Sequence, residues 1–197
     1  MKSIPAEIMN PKQRILKTAR ILFYEQGYST TGINQIISDS KTSKKSFYHY
    51  YESKDNLAEA YLLLQKEDLL KLLTNLTIRC ENYKSFVRMW VTIIKKGINS
   101  GIYQGCPFAK FAGQIPGNSM FNSILKTIVQ EWKSLLFNFI NAQAQKYTEN
   151  ISKDKIENVV DQILLLYQGA VQMWSLSDDM KYINDLEQEL LKLDFQE

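Results

Sequence analysis

The fold is decided by residues 43–57, which read SKKSFYHYYESKDNL. Ser43 can cap the N-terminus of a short helix that ends near residue 50, and Ser53 can cap the next helix. Phe47 and Tyr51 fall on one side of the short helix, which we expect to face inward. The stretch therefore predicts two consecutive helices separated by only a few residues.

A longer helix is predicted upstream. Asn10 is a favourable N-cap and Pro11 suits the first helical position. Gly27 suits the left-handed residue that ends a helix, and Tyr28 beyond it can pack back on Phe23. The apolar residues that recur at helical spacing between these ends are Ile15, Leu16, Ala19, Leu22 and Phe23.

A second short helix is predicted between these two. Thr31 can cap it, and Ile33, Ile36 and Ile37 fall on one face. Residues 38–41 read SDSK, which is typical of a turn. Two short helices joined by a tight turn and packed on a longer first helix predict a helix-turn-helix unit.

The outer surface of the third helix carries the chemistry of this segment. If Phe47 is buried, Lys44, Lys45 and Tyr48 face outward, and Ser46 adds a short hydroxyl. Lysines attract phosphate, and a helix fits the major groove of DNA. A lysine cluster alone is more often a solvated surface turn, but its position on the second helix of a two-helix motif favours DNA binding.

Residues 10–60 resemble the DNA-binding domain of TetR-type transcriptional regulators over almost their whole length. The similar positions are Arg14-Ile15-Leu16, Ala19, Phe23, Gly27-Tyr28, Thr31, Ile36 and the run from Ser43 to Leu57. The resemblance implies an all-α protein with an N-terminal three-helix, helix-turn-helix DNA-binding domain followed by a larger helical ligand-binding and dimerisation domain. It also implies a homodimer, in most cases a repressor, and double-stranded operator DNA as partner.

The resemblance implies roles for single residues. Tyr48 and Lys54 match positions that contact phosphates, Lys44 and Lys45 match positions that reach base edges, and Asn34 matches one that reads a base in some members. Lys41 departs from the family, because it stands where a turn glycine is usual and must adopt a left-handed conformation. The full set of implied DNA-binding residues is Thr31, Asn34, Ser43, Lys44, Lys45, Ser46, Tyr48, His49 and Lys54.

The composition agrees with this organisation. Eight glycines and four prolines among 197 residues are few for a soluble protein, and a sandwich or barrel needs more turn residues. Residues 1–56 carry nine Lys or Arg against five Asp or Glu, whereas residues 57–197 carry fifteen against sixteen. We therefore expect a basic DNA-binding domain at 1–56 and a helical effector-binding and dimerisation domain at 57–197.

Several other classes of protein lack support in the sequence. Two cysteines are too few for a disulfide scaffold, and neither a signal peptide nor a long apolar run is present, so we expect a cytoplasmic protein. His49 is the only histidine, and no glycine-rich phosphate loop, paired-cysteine motif or nucleophile elbow occurs. We expect no enzyme, no metal site and no cofactor.

Residues 57–197 predict further helices rich in aromatic residues, most of which we expect in the core. The helices are predicted near 54–76, 83–99, 107–115, 119–147, 154–177 and 180–193. Because helical domains behind a TetR-type DNA reader commonly house a pocket, we expect a small apolar or aromatic effector there. The residues that we assign to this pocket are Trp90, Cys106, Phe111, Tyr167 and Trp174.

Cys106 is the most informative of these. Pro107 suits the first position of a helix, which places Cys106 at its cap, where the helix dipole favours thiolate. A Gly-Cys-Pro start resembles a subset of TetR-type regulators that sense electrophiles or oxidants. A small buried packing residue is the simpler interpretation of this thiol.

The last two predicted helices suggest the dimer contact. Residues 154–177 are apolar around more than one face, which indicates burial on two sides, and Gly169-Ala170 would permit close helix approach. A monomeric core is the alternative. The residues that we assign to the interface are Ile163, Tyr167, Gly169, Ala170, Leu186 and Leu190.

The combined prediction is a homodimeric, ligand-responsive repressor that binds a palindromic operator and is released by an effector in the C-terminal domain. Helix 54–76 is the natural lever between the two domains. Two alternatives remain open: a helical protein-interaction module without DNA binding, and a thiol-based electrophile or redox sensor that uses Cys106.

Overall fold

The structure, a computed structural model, describes residues 9–115, 117–146 and 151–193. Within these ranges every regular element is an α-helix, which confirms the predicted all-α class. The helices are α1 Pro11–Glu25, α2 Ile33–Asp39, α3 Lys44–Tyr50, α4 Lys54–Arg79, α5 Tyr83–Asn99, α6 Pro107–Ala112, α7 Ser119–Ala144, α8 Lys153–Ser177 and α9 Lys181–Lys192.

Both ends of α1 confirm the predicted signals. The Asn10 side chain accepts from the Gln13 backbone N–H at 2.9 Å, and the Gln13 side chain accepts from the Asn10 N–H at 3.1 Å. These two bonds form a capping box. Gly27 is left-handed with φ +102°, and the Tyr28 ring packs edge-on against Phe23 with centroids 5.5 Å apart.

The start of α2 differs from the prediction. Gly32 is the N-cap and supplies no side-chain bond, whereas Thr31 lies one residue outside the helix. The Thr31 side chain is buried, and its hydroxyl donates to the Gly27 carbonyl at 2.7 Å. This hydrogen bond closes the loop after α1, so the Thr31 hydroxyl does not cap α2.

The caps of α3 and α4 agree with the prediction. Ser43 accepts from the Ser46 N–H at 3.0 Å, and Ser53 accepts from the Asn56 N–H at 3.1 Å. Phe47 is fully buried, as the one-sided pattern predicted.

Three predicted helix ends shift. Helix α4 continues to Arg79, three residues beyond the predicted end. Helix α6 ends at Ala112 instead of residue 115, because Gly113 follows and the chain tightens into a turn in which the Gln114 N–H donates to the Phe111 carbonyl at 3.0 Å. Helix α7 ends at Ala144, three residues before the predicted end at residue 147, which itself lies outside the described residues.

The chain divides into two compact units. The first is drawn from residues 1–67 and 107–126, and the second from residues 68–106 and 127–197, so α4 and α7 contribute to both. The predicted boundary at residue 56 separates functions, which packing does not test, and it stays a prediction. The largest fully buried side chains of the first unit are Ile15, Ile36, Phe47, Leu57, Tyr61, Leu62 and Phe121.

The second unit joins α5, α8 and α9. The Tyr83 hydroxyl on α5 donates to the Leu190 carbonyl on α9 at 2.9 Å, and Lys95 pairs with Glu187 at 2.9 Å between the same helices. Burial raises the pKa of Tyr83.

Four residues assigned to the dimer contact are buried inside the protomer. Ile163 and Tyr167 on α8 and Leu186 and Leu190 on α9 each keep 5% or less of their surface exposed. Their side chains are used by the protomer's own core, so they are not available to a partner subunit. Of the remaining two, Gly169 is exposed and Ala170 is half-buried.

Candidate nucleic-acid interface and aromatic cluster

Arg14 of α1 holds the turn between α2 and α3. Its guanidinium donates to the carbonyls of Ser40 at 3.2 Å and Lys41 at 3.3 Å, and to the Met9 carbonyl at 3.1 Å. Lys41 is left-handed with φ 51°, as expected where a glycine is usual. Nothing in the sequence around Arg14 signalled this role, because its partners are backbone atoms 26 and 27 residues away.

Helix α3 presents a row of polar side chains to solvent. With Phe47 buried beneath it, Lys44, Lys45 and Tyr48 are exposed, and Tyr48 keeps 44% of its surface. His49 is also exposed at the C-terminal end of the helix, beside the Tyr50 ring at a centroid distance of 4.7 Å. The predicted DNA-facing residues of α3 therefore lie together on one accessible surface.

Asn34 and Ser43 are exposed as well, and Ser46 is half-buried. Thr31 stands apart from this set, because its side chain is buried and its hydroxyl is bonded to backbone carbonyls. We leave Thr31 out of the surface that could contact DNA.

Lys54, the predicted phosphate contact at the start of α4, lies against an aromatic ring. Its ammonium sits 4.3 Å from the centroid of the Tyr28 ring, and the Tyr28 hydroxyl donates to Asp55. Burial lowers the pKa of Lys54, and the Asp55 carboxylate offsets part of this effect. Burial and the bond to Asp55 both raise the pKa of Tyr28. The group fixes the first turn of α4 to the end of α1.

The turn that follows α6 is also tied to the loop after α1 within the first unit. The Gln114 side chain accepts from the Ser29 N–H at 3.1 Å, and the Ser29 hydroxyl donates to the Gln114 carbonyl at 3.1 Å. A Cβ on Gly27 would lie 2.6 Å from the Gln114 Oε1 atom, so glycine allows this close approach.

The residues assigned to an effector pocket separate into two groups. Phe111 belongs to the first unit, where its ring lies 5.1 Å from both Tyr28 and Phe121. Trp90 and Trp174, by contrast, belong to the second unit. All are buried, so their aromatic character alone did not distinguish the two surroundings.

In the second unit, Tyr167 is the centre of an aromatic cluster that we define as Trp90, Tyr103, Trp132, Tyr167 and Trp174. Trp90 stacks on the Tyr167 ring at 5.1 Å, and Trp132 meets the same ring edge-on at 5.4 Å. The Tyr167 and Tyr103 hydroxyls are hydrogen-bonded at 2.7 Å, and Tyr103 stacks on Trp174 at 6.0 Å.

Two indole nitrogens of this cluster have no hydrogen-bond partner in the part of the chain that the structure describes. They are the Nε1 atoms of Trp132 and Trp174, whose side chains are 2% and 8% exposed. A buried donor without an acceptor is costly, by about 1–3 kcal/mol. The sequence offered no signal for this feature, since apolar spacing describes the ring and not its N–H.

Cys106 is buried and follows the cluster residue Tyr103 by three positions in the sequence. Its sulfur accepts from the Gln168 amide on α8 at 3.4 Å. Through this contact, the buried thiol helps to pack the segment before α6 against helix α8.

A separate open cavity of about 440 Å³ lies between α7 and α8. Phe137 and Val160 supply its apolar part, and its rim carries the ion pair of Lys153 with Glu157 at 3.3 Å. None of the residues assigned to an effector pocket lines it. The lining residues are Gln130, Lys133, Ser134, Phe137, Asn138, Lys153, Glu157 and Val160.

No described helix is both long and apolar enough to cross a membrane. No group of three or more His, Cys, Asp or Glu side chains in residues 9–115, 117–146 and 151–193 is placed to hold a metal ion.

Comparison with known proteins matches the surface described on α1–α4. The family model described as bacterial regulatory proteins, tetR family, matches residues 15–61. An HTH-type transcriptional regulator from the lacX 3′ region of Lactococcus lactis subsp. lactis is 27% identical over 142 residues, which cover 65% of this chain and 71% of that protein. The regulator QacR of Staphylococcus aureus is 39% identical over 49 residues, 25% of this chain and 26% of that protein.

The fold likeness extends along the chain. A TetR-family transcriptional regulator from Streptomyces coelicolor superposes with a TM-score of 0.78 at 20% identity, over 92% of each chain. Members of this family are transcriptional regulators and not enzymes, and they bind DNA as dimers and small-molecule effectors. The family match over residues 15–61 and the shared all-α fold support a TetR-type transcriptional regulator.

Proposed function

We propose that this regulator is a homodimeric repressor that binds a palindromic operator in the cytoplasm and leaves it when a small molecule binds in the second unit. The observation that carries the proposal is the exposed polar row of α3, which stands on a fully buried Phe47. In a dimer, two such helices would enter successive major grooves about 34–36 Å apart.

The chemistry of the row supports a reading role. Lys44 and Lys45 supply cations, and Tyr48 supplies a hydroxyl on a ring held 5.2 Å from Phe47. Cations contribute phosphate affinity that falls with salt, whereas groups that reach base edges contribute sequence preference. Arg14 supports the row indirectly, because it fixes the turn from which α3 starts.

The test is DNA binding by the purified protein, measured by fluorescence anisotropy with labelled DNA from upstream of its own coding sequence. We expect Lys44→Ala combined with Tyr48→Ala to weaken binding at least 30-fold, as the loss of about two contacts of 1–3 kcal/mol each implies. Lys71→Ala is the matched control, since Lys71 is exposed on α4 in the second unit and its loss removes the same charge.

An equal effect of the two variants would contradict the proposal. So would a wild-type protein that binds upstream DNA no better than unrelated DNA. Intact biological function in the Lys44→Ala, Tyr48→Ala variant would favour the protein-interaction module instead.

For the dimer contact we propose the outer face of α8 in place of the buried residues named from the sequence. Leu165 and Leu176 keep 72% and 73% of their surface exposed, and Met173 keeps 42%. Together with exposed Gly169 they follow a spacing of four, four and three residues, which places them on one side of the helix. Exposed apolar stripes of this kind are typical of protein contacts.

Charge substitution tests this face. Leu165→Glu combined with Leu176→Glu should convert a dimer into a monomer at micromolar concentration in sedimentation equilibrium. Ile78→Glu is the control, because Ile78 on α4 is 77% exposed and lies outside the stripe. A dimer that survives the double substitution would place the contact elsewhere.

A further inference from the structure

The second unit contains two buried hydrogen-bond donors that have no acceptor among the described residues. The indole N–H groups of Trp132 and Trp174 are enclosed, and no acceptor among the described residues reaches them. Trp132 meets Tyr167 at 5.4 Å, Trp174 meets Tyr103 at 6.0 Å, and the two tyrosine hydroxyls join at 2.7 Å. The two rings that carry the unpartnered donors thus flank one tyrosine pair.

The missing component is a hydrogen-bond acceptor. An indole nitrogen donates and never accepts, so a group with lone pairs is what both sites lack. The rings that carry these donors pack against tyrosine rings, and aromatic faces favour flat rings by stacking. Flat rings with a carbonyl, nitro or ether oxygen combine the two properties.

The charge of the surroundings restricts the ligand further. Among the described residues of the second unit, Gln143 is the one buried polar side chain outside the aromatic cluster, and no carboxylate is buried. Aromatic faces attract cations, but the positive charge itself supplies no acceptor to the two indoles, and no buried carboxylate among the described residues of the second unit would balance it. The cluster therefore suits an uncharged ligand better than a cationic one.

Tyr103 offers a route into the cluster. It lies in the segment between α5 and α6, is half-buried, and covers one face of Trp174. The other four rings stand on helices α5, α7 and α8. Since a ring on a connecting segment moves more readily than one on a packed helix, the ligand would replace Tyr103 on Trp174.

We propose that Trp132 and Trp174, with the Tyr103–Tyr167 pair, form a binding site for a planar aromatic ligand that carries an acceptor oxygen and no positive charge. The proposal deepens the effector response proposed above and rests on it for its biological role. The binding itself can be measured without DNA.

The test uses three flat probes of similar size in equilibrium dialysis against the full chain. 9-Fluorenone carries a carbonyl, fluorene has almost the same rings without it, and 10-methylacridinium carries a positive charge. We expect fluorenone to bind at least tenfold more tightly than either of the other two. Equal or reversed preference would overturn the proposal, as would the absence of fluorenone binding.

The donors are tested by replacing Trp132→Phe and Trp174→Phe together, which keeps two rings and removes both N–H groups. The preference for fluorenone over fluorene should fall to about one, while fluorene affinity stays within about twofold of the wild-type value. A preference that survives in a folded variant would overturn the proposal.

A second measurement does not depend on folding of the variant. In wild-type protein labelled with ¹⁵N at the tryptophan indoles, fluorenone should shift two of three indole signals downfield, and fluorene should not. No probe-specific shift would overturn the site. Operator binding is measured separately, so loss of that function would leave the fluorenone result interpretable on its own.

Discussion

The exposed tyrosines of α3 in the first unit and the enclosed tryptophans of the second unit differ in what their polar ends can contact. In the first unit, Tyr48 and Tyr50 on α3 keep 44% and 37% of their surface in solvent, and their polar ends are available to an outside partner. In the second unit, Trp132 and Trp174 are enclosed, and their polar ends have no partner. An exposed polar group is hydrogen-bonded to water until a partner binds. An enclosed donor without an acceptor lowers the stability of the fold until an acceptor reaches it.

Phe47→Ala should cause the largest loss of stability among the substitutions proposed for these two regions. Loss of a fully buried phenylalanine costs about 3–5 kcal/mol in free energy of unfolding. Tyr48→Ala, one residue away and exposed, should change stability by less than about 0.5 kcal/mol while weakening DNA binding. Urea unfolding measures both variants, and comparable losses would show that α3 does not rest on Phe47.

Arg14→Ala should rank second. Two of its three bonds to carbonyls hold the turn before α3 and the third reaches Met9, and bonds from a charged donor contribute about 1.5–3 kcal/mol. We expect a loss in this range by urea unfolding together with weaker operator binding. Lys17→Ala removes an exposed cation from the same helix and serves as the control. Equal losses of stability and DNA binding in the two variants would show that Arg14 acts only through its positive charge and not through its bonds to the turn.

Tyr83→Phe probes the second unit through pH. Burial raises the pKa of Tyr83 in the folded protein above its ordinary value of 10.0. The unfolded chain therefore releases this proton first, and the free energy of unfolding falls as pH rises above 10.0, by up to about 1.4 kcal/mol per pH unit. Below that pH the contribution is fully present.

The Tyr83→Phe variant should lose about 1 kcal/mol at neutral pH with the bond to Leu190, and its stability should decline less steeply above pH 10.0. Urea unfolding from pH 8 to 11 measures both effects. Tyr182→Phe on α9 is the control, because Tyr182 is only half-buried. An unchanged alkaline slope in Tyr83→Phe would contradict the prediction.

Lys41→Gly and Asp178→Gly should have the smallest effects and compare the two units directly. These residues are left-handed, with φ of 51° and 53°, and lie in the first and second units respectively. Relief of the strain, less the added freedom of the unfolded chain, should stabilise each variant by about 0.5–1 kcal/mol. Thermal unfolding measures the change, and a loss of stability at Lys41 would indicate that its side chain supports the turn.

The sequence predicted best where the determinants are local. The caps at Asn10, Ser43 and Ser53 each bond to a backbone N–H three residues away, and such pairs are visible in a string of letters. Thr31 shows the limit of this reasoning. It has a capping side chain, yet its hydroxyl bonds back to Gly27 and Gly32 takes the cap position.

Long-range packing could not be predicted in the same way. A helix that is apolar around most of its circumference does not reveal which face its own core covers, so Tyr167 was assigned to a dimer contact and lies in the core of the second unit. The role of Arg14 and the unpartnered indoles depend on residues far away in the chain. Only the folded arrangement shows them.

Gly27 has a consequence for how this regulator can diverge. A side chain there meets two separate penalties, an unfavourable φ of +102° and a clash with the end of Gln114. Shortening Gln114 would remove the clash, at the cost of its bond to Ser29, but would leave the backbone penalty in place. Because shortening Gln114 relieves only the clash, substitutions at residues 27 and 114 should be non-additive, and a side chain at residue 27 should stay unfavourable in either background.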